Sequence, residues 1–122
     1  MNKLNPPSPQ DDIKFTSYAN LVRSVRLPSG HTYRYIFKAP FDSMPTLLFL
    51  HGWPETPFSW VNQIEYFTRQ GYGVVAPDML GTGGSDNPKD LESFTFKKTA
   101  NEMNDLLECE GLDKVIGIGH DM

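Results

Sequence analysis

The chain has 122 residues, 39% hydrophobic and 21% charged, and its net charge is −4. These values predict one globular domain and disfavour a disordered chain, a nucleic-acid partner or an anionic membrane partner. A single cysteine, Cys109, excludes an internal disulfide, and no apolar run approaches the roughly 20 residues that span a bilayer. We therefore expect a cytoplasmic protein without a membrane span.

The N-terminal segment, residues 1–17, is rich in proline and polar residues, and we expect it to be flexible. It has no apolar core of the kind found in secretory signals. Two β-rich runs follow at 21–27 and 31–37, separated by Pro28-Ser29-Gly30. This arrangement predicts a β-hairpin, in which we expect His31 to be exposed and without a functional role.

Strands and helices alternate after the hairpin. Two short apolar runs, 46–50 and 73–76, predict strands that are buried on both faces. Helical patterns occupy 57–70 and 94–110, and a last strand is predicted at 115–118. The order predicts an α/β fold with an antiparallel hairpin followed by parallel βαβαβ. We expect residues 18–122 to form this one core domain.

Spacing within the helical patterns predicts which residues pack inside. We expect Met79 and Met103 in the core, Phe58 and Trp60 packed on the first helix, and Cys109 buried or half-buried. The apolar face of the first helix is predicted as Phe58, Val61, Ile64, Tyr66 and Phe67, and that of the second as Phe96, Ala100, Met103, Leu106 and Leu107.

Three segments whose residues could take part in catalysis or binding follow three of the predicted strands. They are His51-Gly52-Trp53-Pro54, the glycine-rich loop 78–85, and Gly119-His120-Asp121. Binding and catalytic sites in open α/β sheets form at the carboxyl ends of the strands. The topology therefore predicts that these three segments converge.

Asp121 follows the last strand in a Gly-x-nucleophile pattern, at the position that serine holds in the common nucleophile elbow. A carboxylate is ionised at neutral pH and can attack an electrophilic carbon to form an ester. The alternative is that Asp121 is a polar residue near the C-terminus or a helix N-cap. In a sharp elbow the His120 side chain should point away from Asp121, so we interpret His120 as structural.

Asp78 begins a glycine-rich loop, where such a residue commonly bonds to backbone N–H groups. Gly81, Gly83 and Gly84 supply positions at which a positive φ is easily adopted. The loop lacks the Gly-Lys-Ser/Thr ending of a phosphate-binding loop, so that function is disfavoured.

Taken in order, these motifs resemble the N-terminal part of α/β-hydrolase fold proteins, and specifically the epoxide hydrolase branch. The matching segments are 47–55, 76–88 and 115–121. The resemblance implies that Asp121 opens an epoxide through an alkyl-enzyme ester, which water hydrolyses to a diol. It also implies that the backbone N–H groups of Trp53 and Met122 stabilise the oxyanion.

The resemblance assigns supporting roles to the turn after the third strand. It implies that His51 and Gly52 shape the oxyanion loop and that Pro54 helps to hold it open. A hydrogen-bonded, structural His51 is preferred to a catalytic one. Trp53 is the best candidate to line a substrate pocket.

In the family, the catalytic histidine, a second carboxylate and two lid tyrosines follow the elbow, and this chain has no counterpart at those positions. We therefore expect a truncated, inactive and marginally stable fragment whose last strand is an exposed edge. A haloalkane or haloacid dehalogenase, disfavoured by Trp53 and Glu55, and a non-catalytic binding fragment are the alternatives. The expected partner is a small epoxide. No metal or cofactor is expected, and the oligomeric state is not indicated.

Overall fold

A computed structural model describes residues 19–52 and 57–120 of the chain. Short 3₁₀ turns at Pro57–Trp60 and Leu91–Phe94 precede the two α-helices. The elements are β1 (Val22–Arg26), β2 (Thr32–Lys38), β3 (Thr46–Leu50), α1 (Val61–Arg69), β4 (Gly73–Pro77), α2 (Phe96–Cys109) and β5 (Ile116–Gly119). Every predicted strand and helix is present, with shifts of a few residues at the ends.

The five strands form one sheet in the order β1-β2-β4-β3-β5. Strand β2 pairs antiparallel with both β1 and β4, whereas β3 pairs parallel with both β4 and β5. This arrangement confirms the predicted antiparallel hairpin on a parallel βαβαβ core. Strand β3 lies between β4 and β5, although both follow it in sequence, because the connection through α1 leads from β3 to β4 and the connection through α2 then passes from β4 over β3 to β5.

The two helices cover opposite faces of the sheet. Side chains alternate between faces along a strand, so Leu47 and Phe49 join one core with Ile64 of α1, while Leu48 joins the other with Leu106 of α2. Strands β3 and β4 are buried on both faces, as their continuous apolar runs predicted. Met79 and Met103, each 7% exposed, are confirmed as core residues.

Helix α2 begins later than predicted because Thr95 caps it. The Thr95 hydroxyl accepts a hydrogen bond of 3.3 Å from the Lys98 amide. Phe96 and Ala100, predicted on the buried face, are exposed, and Tyr66 of α1 is also exposed. Those three assignments were wrong because apolar spacing alone does not fix which side of each helix faces the sheet.

A carboxylate, Glu102, lies on the buried side of α2 instead. It is 2% exposed and accepts hydrogen bonds from Ser29 Oγ (2.7 Å) and Tyr33 OH (2.8 Å). His31 Nδ1 lies 2.6 Å from the same carboxylate. The expectation that His31 is exposed was therefore wrong, since it is half-buried in a cluster that ties the hairpin to α2.

Strand β5 lies at an edge of the sheet, and within residues 19–52 and 57–120 it pairs with β3 alone. Ile116 is 50% exposed there. This position agrees with the expected exposed edge. Cys109, at the end of α2, is exposed, so its predicted burial was wrong.

Candidate active site

The ends of β3 and β5 bring two of the predicted motifs together. Leu50 and Gly119 are paired residues of the two strands, and the His120 amide donates a 3.2 Å hydrogen bond to the Leu50 carbonyl. Gly52 and Asp121 each follow these paired residues by two positions. Asp121 itself lies outside the described residues, as do Trp53, Pro54 and Met122.

The third motif is the loop after β4. It lies at the same carboxyl ends of the strands because β4 is the other parallel neighbour of β3. Its Met79 amide donates a 3.0 Å hydrogen bond to His51 Nε2. The described parts of all three motifs therefore adjoin one another, as the topology predicted.

His51 is held by both of its ring nitrogens and is 1% exposed. A backbone N–H only donates, so Nε2 accepts from Met79 and the ring proton lies on Nδ1, which is 2.8 Å from the Gly52 carbonyl. Histidine held in this way has no lone pair to act as a general base. The contacts agree with the interpretation of His51 as a structural residue of this turn.

Asp78 is fully buried at the start of the glycine-rich loop. Its Oδ2 accepts hydrogen bonds from the Gly84 amide (2.8 Å) and from Arg34 Nε (2.7 Å). The bond to a backbone N–H is the kind that the loop sequence predicted. Sequence reasoning missed Arg34, which reaches Asp78 across the antiparallel β2–β4 pair.

Two kinds of constraint require glycine in this loop. Gly81 and Gly83 have φ values of +88° and +52°, in the left-handed region that favours glycine, as predicted. Gly84 does not have a positive φ, so that prediction was wrong for Gly84. Its constraint is steric, because a Cβ there would lie 2.5 Å from Arg34 Nε.

A cavity of about 390 Å³ opens beside Gly52, between the glycine-rich loop and the start of α2. Buried Met79 and Leu80 line it, the more exposed Phe94 and Phe96 stand at its side, and Thr82 adds a hydroxyl. Pockets for small ligands commonly have 300–1,000 Å³ and mainly apolar walls with few polar groups. The site therefore has room for a small apolar molecule next to the turn.

His120 contacts the opposite side of the sheet. Its ring meets the edge of the Trp60 ring at a centroid distance of 6.5 Å, and Trp60 packs against Phe49 at 5.2 Å. Trp60 therefore packs between its helix and the sheet, as predicted. The Phe58 side chain lies outside the described part of the structure.

Neither a metal cluster nor a membrane helix is found in the part of the chain that the structure describes. No group of three or more His, Cys, Asp and Glu side chains there could hold a metal ion. No helix there is both long and apolar enough to cross a membrane.

The fold and the three converging motifs are those of a known family. The family model described as the alpha/beta hydrolase fold matches residues 45–122. The chain belongs to the α/β hydrolase fold family.

Relatives of known type define the branch. Epoxide hydrolase 2 of Siraitia grosvenorii is 39% identical over 83 residues, which are 68% of this chain and 26% of the relative. Epoxide hydrolase 3 of Mus musculus is 33% identical over 123 residues, covering 98% of this chain and 33% of the relative. The chain thus spans about a quarter to a third of the length of these relatives.

Solved structures give the same assignment. A Vigna radiata epoxide hydrolase mutant matches with a TM-score of 0.75 and 33% identity, over 82% of this chain and 30% of that one. Epoxide hydrolase A from Mycobacterium thermoresistibile matches with a TM-score of 0.74 and 34% identity, over 82% and 31%. This chain is an epoxide hydrolase-like member of the α/β hydrolase fold family.

Proposed function

We propose that the protein hydrolyses a small epoxide and that Asp121 is its nucleophile. The observation that carries the proposal is the pairing of Leu50 with Gly119 at the ends of neighbouring strands. Neighbouring strands lie about 4.8 Å apart. The strand ends that lead to Asp121 and to the peptide after Gly52 therefore lie side by side, which supports a nucleophile and an oxyanion donor there.

The chemistry takes two steps. A carboxylate oxygen of Asp121 attacks one epoxide carbon, the C–O bond of the ring breaks, and the released oxygen takes a proton from solvent water, leaving hydroxide. Water then attacks the carbonyl carbon of the resulting ester, and collapse of the oxyanion returns the carboxylate and frees a diol. The backbone N–H groups of Trp53 and Met122 stabilise that oxyanion, and Pro54 holds the loop in place.

The second step needs a base to take a proton from water, and the described histidines are poorly placed for it. His51 is bonded through both ring nitrogens, and His31 is paired with Glu102. The His120 ring lies against Trp60, on the α1 side of the sheet. We infer that these 122 residues by themselves form the ester faster than they release it, and so are inactive in turnover.

Trapping the ester tests the nucleophile directly. The chain is incubated with a small terminal epoxide, and intact mass and peptide mapping locate the adduct. With the exposed Cys109 replaced by serine in every variant so that its thiol cannot react, we expect one lasting adduct on Asp121, none in Asp121→Asn, and an unchanged yield in the matched control Asp113→Asn. An adduct on another residue, or no adduct at all, contradicts the assignment.

Oxygen labelling tests the role of Asp121 in any form of the protein that turns over. A single turnover in H₂¹⁸O should leave the diol unlabelled and place ¹⁸O in the Asp121 carboxylate, because water attacks the ester carbonyl. Label in the diol after a single turnover would mean that water opens the epoxide directly, with Asp121 acting as a base.

The domain division and the cellular location of the protein remain predictions. The division into an N-terminal segment, residues 1–17, and a core domain, residues 18–122, is tested by limited proteolysis, which should cut first before residue 18. The cytoplasmic location is tested by cell fractionation. A haloalkane or haloacid substrate gains no support from the relatives described above, which are epoxide hydrolases.

A further inference from the structure

We propose that Arg34 is a positioning residue for the oxyanion turn that begins with His51 and Gly52. Its buried ion pair with Asp78 holds the loop whose next residue contacts the His51 ring. The role rests on the proposed function, in which the peptide after Gly52 supplies an oxyanion donor.

The first link joins β2 to the glycine-rich loop through backbone and side-chain bonds. The Asp78 amide donates to the Arg34 carbonyl at 2.8 Å, and the Arg34 amide donates to Ser85 Oγ at 2.9 Å. The Arg34–Asp78 ion pair spans 2.7 Å, with side chains 9% and 0% exposed. Removing one partner of such a pair leaves an uncompensated buried charge, so the loop would have to move.

The second link joins the loop to the His51 ring. Met79 follows Asp78 directly in the chain, and its amide donates to His51 Nε2 at 3.0 Å. The Thr82 hydroxyl donates to the Met79 carbonyl at 2.6 Å, which holds the same residue from its other side. A shift of Asp78 therefore moves the donor that the ring depends on.

The third link joins the ring to the oxyanion turn. With Nε2 accepting from Met79, the proton stays on Nδ1, which donates to the Gly52 carbonyl at 2.8 Å. In a trans peptide the C=O and N–H groups point in opposite directions. Holding the Gly52 carbonyl thus sets the direction of the next N–H group, the proposed oxyanion donor. A ring that lost its Met79 contact could carry its proton on Nε2 and release Gly52.

The ring tautomer of His51 is the direct readout. Two-bond ¹H–¹⁵N spectra of the chain labelled with ¹⁵N-histidine should show one tautomer, with the proton on Nδ1. In Arg34→Met we expect a mixture of the two tautomers and exchange of the Met79 amide at least about tenfold faster. Arg34→Lys keeps the positive charge, so we expect smaller changes in the His51 tautomer and in the Met79 exchange rate than in Arg34→Met.

The matched control is Arg23→Met, which removes a different arginine–carboxylate pair of the hairpin, to Glu110 at 2.7 Å. It should leave the His51 spectrum unchanged. If Arg34→Met does not fold, Arg34→Gln is used instead, because it also leaves the Asp78 charge without its cation but keeps a polar side chain beside it. A folded variant of either kind that keeps the single Nδ1–H tautomer and an unchanged Met79 exchange rate overturns the proposal.

The spectra involve no substrate, so they separate this inference from the proposed function. A shifted tautomer in a protein that forms no ester on Asp121 would leave the Arg34 role intact and contradict the nucleophile. In a form that turns over an epoxide, Arg34→Met should lower kcat more than it raises KM. The decrease in kcat should approach about 100-fold, the usual effect of losing one oxyanion donor.

Discussion

The hydroxyl of Tyr33 donates a 2.8 Å hydrogen bond to Glu102, and these two residues are only 0% and 2% exposed. The pair joins β2 to α2 beneath the hairpin turn, where Ser29 and His31 reach the same carboxylate. A charge buried this deeply is stable only because its partners are all in place. The cluster is therefore a point at which the fold can be tested separately from the active site.

Replacing Glu102 by alanine should lower the free energy of unfolding by about 2–3 kcal/mol, because the buried Tyr33 hydroxyl loses its acceptor. Chemical denaturation followed by circular dichroism measures the change. Glu108→Ala is the matched control on the same helix, since Glu108 is exposed and, among the described contacts, its carboxylate accepts a hydrogen bond only from Asn104, at 3.0 Å. That control should cost about 0.5 kcal/mol or less. Equal losses in both variants would contradict the role given to Glu102.

Alkaline pH should unfold the chain through Tyr33. Burial raises the pKa of the Tyr33 hydroxyl, and its hydrogen bond to Glu102 raises it further. The folded state then keeps a proton that the unfolded state loses above about pH 10, so stability is full below that pH and falls as pH rises. Tyr33→Phe should reduce this fall by about 1.4 kcal/mol per pH unit. Tyr66→Phe, at an exposed tyrosine of α1, is the control, and an equal change there would refute the assignment.

Gly83→Ala should destabilise the chain more than a positive φ alone can explain. A Cβ at Gly83 would lie 2.2 Å from Asp78 Oδ2, so the buried ion pair would have to shift. Gly111 is the matched control because its φ is +70° and a Cβ there would meet nothing within 4 Å. Thermal unfolding should show a loss of about 1–2 kcal/mol for Gly111→Ala, the cost of the left-handed conformation, and clearly more for Gly83→Ala. Similar losses would mean that the Asp78 carboxylate moves freely.

The strands could be predicted because their signals are local. Continuous apolar runs at 46–50 and 73–76 indicated buried parallel strands, and alternation with helices then fixed which strand ends meet. The convergence of the His51 turn with the elbow followed from that topology. It did not require any contact to be known in advance.

The polar contacts between distant segments could not be predicted in the same way. Arg34 lies 44 positions from Asp78, and its role depends on the antiparallel pairing of β2 with β4. A glutamate such as Glu102 is expected to face solvent when only its residue type is considered. Its hydrogen-bond donors come from the hairpin, which is distant in sequence. Apolar periodicity counts hydrophobic residues, so it misplaced Phe96 and did not find the buried carboxylate.

The open edge of β5 should make the 122-residue chain self-associate. Ile116 is 50% exposed on a strand that pairs on one side among the described residues. Charged residues on edge strands oppose pairing with another copy. Ile116→Lys should therefore reduce the concentration-dependent increase in mass seen by light scattering or sedimentation. Leu91→Lys is the matched control, because Leu91 is 87% exposed but lies in a 3₁₀ turn, away from any strand edge. A larger reduction by Ile116→Lys assigns the association to strand pairing, whereas an equal reduction in both variants assigns it to exposed apolar surface in general and refutes the edge model.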